Sequence, residues 1–227
     1  KKMPEENNRI LADKYSDILF APTVIAKKNL LQEKVKLKKI FVVGNTISDS
    51  IKMFFKNKKK KQNYIFLTLH RVETIQIRKR LILILKTLEE ISFEKKIKII
   101  FPAHPRTKKI ITSLKKKIIK GIRIINPCSY KNSLNYINNA KLVVTDSGGL
   151  QEEACILKTP CVTIRKNTER PETLQIKSNF LTGYNKKKIR QGIFKMISKT
   201  PSWKHPYNQN VSLKILNIIS KNAKYKK

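Results

Sequence analysis

The run Leu142-Val143-Val144-Thr145-Asp146-Ser147-Gly148-Gly149-Leu150-Gln151-Glu152-Glu153-Ala154-Cys155-Ile156-Leu157 decides the fold. Its first four residues lack polar alternation, as in a strand buried on both faces. Leu150 to Leu157 reads as a helix, so Gly148-Gly149 falls where strand turns into helix. Without a Cβ the backbone can approach a ligand, and the free N–H groups of a helix start attract anions. Ser147 is placed to cap the helix or to donate to a phosphate oxygen. Glu153 lies one turn beyond Gly149, where a carboxylate can accept hydrogen bonds from ribose hydroxyls. Without a ligand, the same residues read as a capped turn with glycine for tight packing. Local chemistry leaves both readings open.

Outward from this block, similar apolar runs recur at Ile40 to Val43, Tyr64 to Leu69, Ile97 to Phe101, Ile122 to Ile125 and Cys161 to Ile164. Helical candidates lie between them at Ser48 to Phe55, Arg78 to Ile91, Lys108 to Ile119 and Ser133 to Asn139. In Arg78 to Ile91, Leu81, Leu85, Leu88 and Ile91 share one face. The alternation predicts an α/β fold, a Rossmann-like doubly wound parallel sheet. Residues 1–45 offer one short strand at Ile18 to Ala21 between two helix candidates, too little for a core of their own. After the aromatic turn Trp203 to Tyr207, a last helix carries the stripe Val211, Ile215, Ile218 and Ile219, which needs a partner surface.

Ligands of open α/β sheets bind beyond the carboxyl ends of the strands. Polar blocks gather there. His70-Arg71 follows Tyr64 to Leu69, His104-Pro105-Arg106 follows Ile97 to Phe101, and Asp146 to Gly149 follows Leu142 to Thr145. His70, accompanied by Arg71 and Glu73, reads as a general acid or phosphate donor in preference to a plain strand-end histidine. His104 before Pro105 suits packing as well as a ligand. Arg170, in Thr168-Glu169-Arg170-Pro171-Glu172, offers a planar donor fork to phosphate, or else a surface pair with Glu169. His205 reads as structural.

The formal net charge of +36 raises the question of nucleic acid. The excess is lysine, however: 42 lysines against 9 arginines, spread along the whole chain in runs such as Lys58 to Lys61, Lys115 to Lys117 and Lys186 to Lys188. Arginine is the residue suited to bidentate phosphate and base contacts. The charge therefore reads as solvated surface, and Lys56 to Gln62 as a solvated loop, with no dedicated nucleic-acid role expected. Only 15 residues are acidic, and eight of them fall in short blocks: Glu5, Glu6, Glu73, Asp146, Glu152, Glu153, Glu169 and Glu172. That concentration favours a site. Cys128, Cys155 and Cys161 show no C-x-x-C pairing and read as reduced thiols, so a cytoplasmic setting without a structural metal is expected. The start, Lys1 to Glu6, has no signal-peptide apolar core, and no run approaches the roughly 20 residues of a membrane helix.

Six blocks in order carry a family resemblance: Met3-Pro4-Glu5-Glu6-Asn7-Asn8-Arg9, Val43-Gly44-Asn45-Thr46, Thr68-Leu69-His70-Arg71-Val72-Glu73, His104-Pro105-Arg106-Thr107, Thr145 to Glu153 and Thr168 to Glu172. Together they resemble the non-hydrolysing UDP-N-acetylglucosamine 2-epimerases over nearly the whole chain. The resemblance implies the C-terminal half of a GT-B fold. Residues 1–45 would be a remnant of the N-terminal Rossmann-like domain, 46–200 the C-terminal UDP-binding domain, and 201–227 a crossover helix.

The implied reaction interconverts UDP-GlcNAc and UDP-ManNAc by elimination and re-addition of UDP, with no cofactor and no metal. Glu5 and His70 would be catalytic. Arg9, Arg71, Ser147, Gly148, Gly149, Glu153 and Arg170 would bind the UDP-sugar, and Arg71 with His104 would lie near a second, regulatory site. The family's remaining domain, with its Gly-Thr-Arg-Pro-Glu motif and further carboxylates, is not among these residues. A polypeptide of these 227 residues is therefore expected to be inactive alone, to pair with a separate N-terminal domain chain, or to be a homodimer when complete. Val72 replaces an arginine common in bacterial members, and His104-Pro105-Arg106-Thr107 leans towards archaeal members and diacetamido uronic acid enzymes. Asn208 follows Tyr207 where the family has glycine. A related UDP-sugar epimerase or hydrolase, a GT-B glycosyltransferase and a basic nucleic-acid-binding module are the rival readings.

Overall fold

A computed structural model describes residues 4–55, 61–113 and 120–223, and omits the side chains of Pro4, Glu5, Arg106 and Ala223. The lysine run Lys115 to Lys117, most of Lys58 to Lys61, and the expected end of the Lys108 to Ile119 helix lie outside the described residues. The chain forms two compact units, one of Lys1–Met53 with Pro206–Lys227, the other of Phe54–His205.

The first unit begins with α1 (Pro4–Tyr15), β1 (Leu19–Ala21), α2 (Val24–Gln32), β2 (Ile40–Val42) and α3 (Ile47–Phe54). β1 and β2 run parallel, with Leu19 opposite Ile40. Thr23 starts α2 by accepting the Ala26 N–H at 3.2 Å, which satisfies one of the amides a helix start leaves open.

The second unit follows as β3 (Tyr64–Thr68), α4 (Val72–Ile75), α5 (Arg78–Glu94), β4 (Lys98–Pro102), α6 (Pro105–Ser113), β5 (Ile122–Ile125) and α7 (Tyr130–Asn139). It continues with β6 (Leu142–Thr145), α8 (Gly148–Ile156), β7 (Cys161–Thr163), α9 (Pro171–Gln175), β8 (Asn179–Leu181) and α10 (Lys186–Ile197). The six strands form one sheet in the order β5-β4-β3-β6-β7-β8, every neighbour pair parallel. Counted from β3, this is the doubly wound order 3-2-1-4-5-6, which turns back on itself between β3 and β6. Leu81, Leu85, Leu88 and Ile91 of α5 are all buried, together with Ile84, in one core with Ile65, Leu67, Ile99 and Phe101. Each such side chain contributes about 1.5–3 kcal/mol on leaving water, so the apolar stripe of α5 holds this helix to the sheet.

Four elements exceed what the apolar runs predict, the short helices α4 and α9 together with β8 and α10. β8 has three residues and opens on Asn179, so it shows no apolar run. α10 starts with three lysines, yet Ile189, Gly192, Ile193 and Met196 give it a buried face. α7 begins earlier than expected, at Tyr130, where Ser129 caps it by accepting the Asn132 N–H.

The first unit closes with α11 (Val211–Ala223). Val211 is buried and Ile215 and Ile218 are partly so, whereas Ile219 is exposed. The Ser212 N–H and hydroxyl both donate to Asp49 Oδ2 of α3, at 2.7 and 2.9 Å. Asn208 fits this turn: its carbonyl accepts from the Ser48 hydroxyl, and its Cβ stands 2.8 Å from where a Cβ on Gly44 would be. Gly44 also has φ +103°, a region that L side chains rarely adopt. Gly44→Ala should therefore destabilise the chain by about 2–3 kcal/mol, combining overpacking with backbone strain. Denaturant unfolding checks this, and an unchanged midpoint would mean the turn relaxes.

Candidate active site

The carboxyl ends of β3 and β6 lie side by side, with Thr68 opposite Thr145 in the ladder. Their hydroxyls hydrogen-bond at 2.7 Å, and Thr145 Oγ1 also accepts the Ser147 N–H at 2.9 Å. This pins the start of α8 to the point where the strand order reverses. The crevice there is where an α/β sheet of this topology holds its ligand.

Asp146 is fully buried beneath the crevice. Both its carboxylate oxygens accept the His70 N–H at 3.1 Å, Oδ2 accepts the Arg71 N–H at 3.0 Å, and Oδ1 stands 3.3 Å from His70 Nδ1. One carboxylate thus fixes the backbone and ring of the loop after β3. Burial pushes the Asp146 carboxyl up, while His70 and the two amides pull it back. The His70 side chain is otherwise about half exposed, at 49%. With Nδ1 held by Asp146, its Nε2 is the nitrogen left for a ligand. The Thr107 hydroxyl donates to Leu69 O at 3.2 Å and ties α6 to the same loop.

Ser147 stands at the N-cap of α8, but its side chain makes no capping bond. A Cβ on Gly149 would meet nothing within 4 Å, and one on Gly148 would meet only Glu169 and Arg170 side-chain atoms at 3.7–4.0 Å. Packing therefore requires neither glycine. Glycine in a helix costs about 0.5–1 kcal/mol relative to alanine, so its presence at both positions has no explanation in protein contacts alone.

Arg170 caps α9 in position, and its Nε pairs with the buried Glu152 at 2.7 Å, bringing its guanidinium over Gly148. Glu153 is buried beside Glu152. Burial, reinforced by the Glu152 charge, pushes its carboxyl from the ordinary 4.5 to about 7, and Tyr130 pulls slightly the other way. His70 and His104 line a cavity of about 230 Å³ with Phe66, Cys128, Ser133 and Leu150. A larger hollow of about 600 Å³ lies near the amino ends of the strands, lined by Lys61, Lys141 and Lys199. It holds no comparable convergence of acids, histidines and a helix start.

His70, Arg71, Ser147, Gly148, Gly149, Glu153 and Arg170 thus gather in the second unit, with exposed His104 beside them. Glu5 and Arg9 lie on α1 of the first unit. The Glu5 side chain is outside the described residues, and Arg9 is engaged by Glu6, Asp13 and Glu33 at 2.6–3.1 Å. Sequence spacing marks Asp146 only as one of the clustered acids and does not single out Arg165. Arg165 is buried at the end of β7, with Nη2 3.1 Å from Glu169 Oε1 and Nε 3.9 Å from Glu73 Oε1. The available signal was arginine itself, since 3 of only 9 arginines in a lysine-rich chain, Arg71, Arg165 and Arg170, converge here.

Fold and site together define a Rossmann-like α/β unit with a glycine-opened helix start at its switch point. The sequence profile of the family "UDP-N-acetylglucosamine 2-epimerase" matches residues 1–220, and the chain belongs to that family. It is 44% identical to the UDP-N-acetylglucosamine 2-epimerase of Methanocaldococcus jannaschii over 93% of this chain and 63% of that protein. It is 43% identical to the enzyme of the same name from Methanococcus maripaludis over 96% of this chain and 65% of that protein. The solved structure of the M. jannaschii UDP-GlcNAc 2-epimerase, in complex with UDP-GlcNAc and UDP, superposes with a TM-score of 0.87, covering 96% of this chain and 65% of that one. The chain thus spans somewhat under two thirds of the length of these relatives.

Proposed function

We propose that the unit Phe54–His205 binds the UDP of UDP-N-acetylglucosamine, and that the whole protein to which this chain contributes inverts C2 of the sugar. The observation that carries this reading is the start of α8. Gly148 and Gly149 are required by no protein neighbour, and the Ser147 hydroxyl is not spent on capping. All three leave backbone amides and a hydroxyl for a diphosphate. Glu153, one turn further, accepts the ribose hydroxyls.

His70, with Nδ1 on Asp146, presents Nε2 to the diphosphate, and Arg170 adds its guanidinium above Gly148. Elimination breaks the anomeric C–O bond as the C2 proton leaves. The electron pair departs with UDP, so donors aimed at the diphosphate stabilise the charge that develops. Removal and return of the C2 proton need carboxylates, a role that falls to Glu5 and to acids outside this chain. Arg71 also binds the UDP-sugar and, with His104, borders a second nucleotide-sugar site. The unit of Lys1–Met53 with Pro206–Lys227 is then part of the second Rossmann-like domain with its crossover helix. The names of the relatives at 43 and 44% identity favour UDP-GlcNAc over a diacetamido uronic acid, a hydrolysed substrate or a glycosyl acceptor. Among the described residues no helix is long and apolar enough to cross a membrane, and a cytoplasmic setting fits the free thiols. A homodimer, or assembly with a separate N-terminal domain chain, is the expected working state.

The expected result is that a polypeptide of these residues binds UDP but does not convert UDP-GlcNAc. Supplying the remaining domain of a relative restores conversion. The anomeric proton signals in NMR follow UDP-ManNAc formation directly. Turnover by these residues alone would show that every proton-transferring group is already present, and failure to bind UDP would remove the reading.

A further inference from the structure

The mouth of the crevice carries three arginines, Arg71, Arg165 and Arg170, and three carboxylates, Glu73, Glu152 and Glu169. Arg170 is matched to Glu152, whose side chain is 4% exposed and held at 2.7 Å. Arg165 and Arg71 instead converge on Glu169. Its Oε1 lies 3.1 Å from Arg165 Nη2 and its Oε2 lies 3.8 Å from Arg71 Nη2. The same Oε2 stands 3.7 Å from where a Cβ on Gly148 would be, over the first residue of α8. A carboxylate therefore already sits where two guanidinium groups and a helix start favour an anion.

Two further observations say that Glu169 does not satisfy this site. The Arg165 side chain is only 4% exposed, yet among the described residues its Nε and Nη1 make no hydrogen bond, Glu73 Oε1 coming only to 3.9 Å of Nε, and the buried Arg71 Nε makes none either. Buried arginine nitrogens without acceptors are costly, and they point to an anion with more oxygens than one carboxylate offers. Glu169 is itself 52% exposed, in contrast to Glu152, so its side chain has solvent to move into.

We propose that Glu169 is a resident counter-anion, which holds Arg71 and Arg165 in place and which a diphosphate must displace in order to bind. The inference rests on the reading that UDP occupies the start of α8. Its consequence runs against intuition for a residue inside a binding motif: removing the charge should tighten binding. Two anions cannot share the same donors a few ångströms apart without a repulsive cost.

The test is calorimetric titration of the chain with UDP, for the unmodified protein, Glu169→Gln and Glu169→Asp, at two salt concentrations. The Gln variant should bind about tenfold more tightly, with a steeper loss of affinity on raising salt, because the site then carries one more uncompensated positive charge. The Asp variant should gain less, since its shorter side chain withdraws from Gly148 but keeps its charge. If the Gln variant does not fold, as judged by thermal unfolding, the sign of the Asp effect decides. Unchanged or weaker binding by folded variants would make Glu169 a support for Arg165 and overturn the proposal, while leaving the UDP reading intact. An unmodified chain that does not bind UDP overturns both.

Discussion

Asp146→Ala should lower the stability of the chain by about 2–4 kcal/mol and weaken UDP binding roughly 100-fold. The residue is fully buried and accepts the His70 and Arg71 N–H groups, while flanking His70 Nδ1. Alanine leaves the His70 and Arg71 amides without this acceptor, at about 1–3 kcal/mol each, and frees the imidazole to turn. The binding loss is the more informative half, because Asp146 is buried behind the His70 loop and, on the proposed reading, acts on UDP only through its neighbours. Asp146→Asn separates the two effects. One amide oxygen still accepts from the loop, so most of the stability should return. It lacks the carboxylate charge that pairs with His70 Nδ1, so binding should stay impaired. Thermal unfolding and UDP titration of both variants measure this. If the alanine variant binds UDP like the parent at a temperature where it is folded, Asp146 is not a positioning residue.

Glu153→Gln should do the reverse to stability. Burial, with the Glu152 charge second, raises the Glu153 carboxyl from 4.5 to about 7. As pH rises, the unfolded chain releases this proton near 4.5 while the folded chain keeps it until about 7. The folded state therefore binds more protons across that interval, stability falls through it, and the penalty is complete above it. The interval corresponds to about 3 kcal/mol. Glutamine removes the charge, so at pH 8 the variant should melt roughly 5–10 °C higher and lose the fall in stability that the parent shows between pH 5 and 8. UDP affinity should drop by about 10–100-fold, the worth of charge-assisted bonds to ribose hydroxyls. The parent's own affinity should weaken from pH 8 to pH 6 as the carboxyl takes up its proton. A variant that melts higher but binds worse identifies a carboxylate retained for the ligand at the expense of the fold. A variant that melts no higher at pH 8 would mean that Glu153 is well solvated when ionised.

Much of this was legible before any coordinates. Seven of the eight strands among the described residues are unbroken apolar runs or close to it, because parallel strands buried by the elements they pack against need no polar alternation. The α5 stripe gave its buried face by helical spacing alone. The elements that escaped lacked that signal. β8 has Asn179 at its head, and that side chain is buried and hydrogen-bonded to Gln151 and Thr173, a polar solution within the sheet edge that no apolar pattern announces. α10 hides its buried face behind three leading lysines.

For the site, the sequence by itself determined which residue types stand at the carboxyl ends of the strands: the paired glycines, two histidines, and acids and arginines kept in a chain otherwise given over to lysine. It also determined the strand-turn-helix that carries them, because those signals are local. Only the tertiary structure decided that β3 and β6, 77 residues apart in their paired positions, lie adjacent and so set Asp146 under His70. It alone placed Glu169 between Arg71 and Arg165, and showed that Gly149 faces open space while the Glu169 and Arg170 side chains stand near Gly148. Such pairings depend on strand order and on desolvation, and both are properties of the packed sheet that residue spacing does not encode.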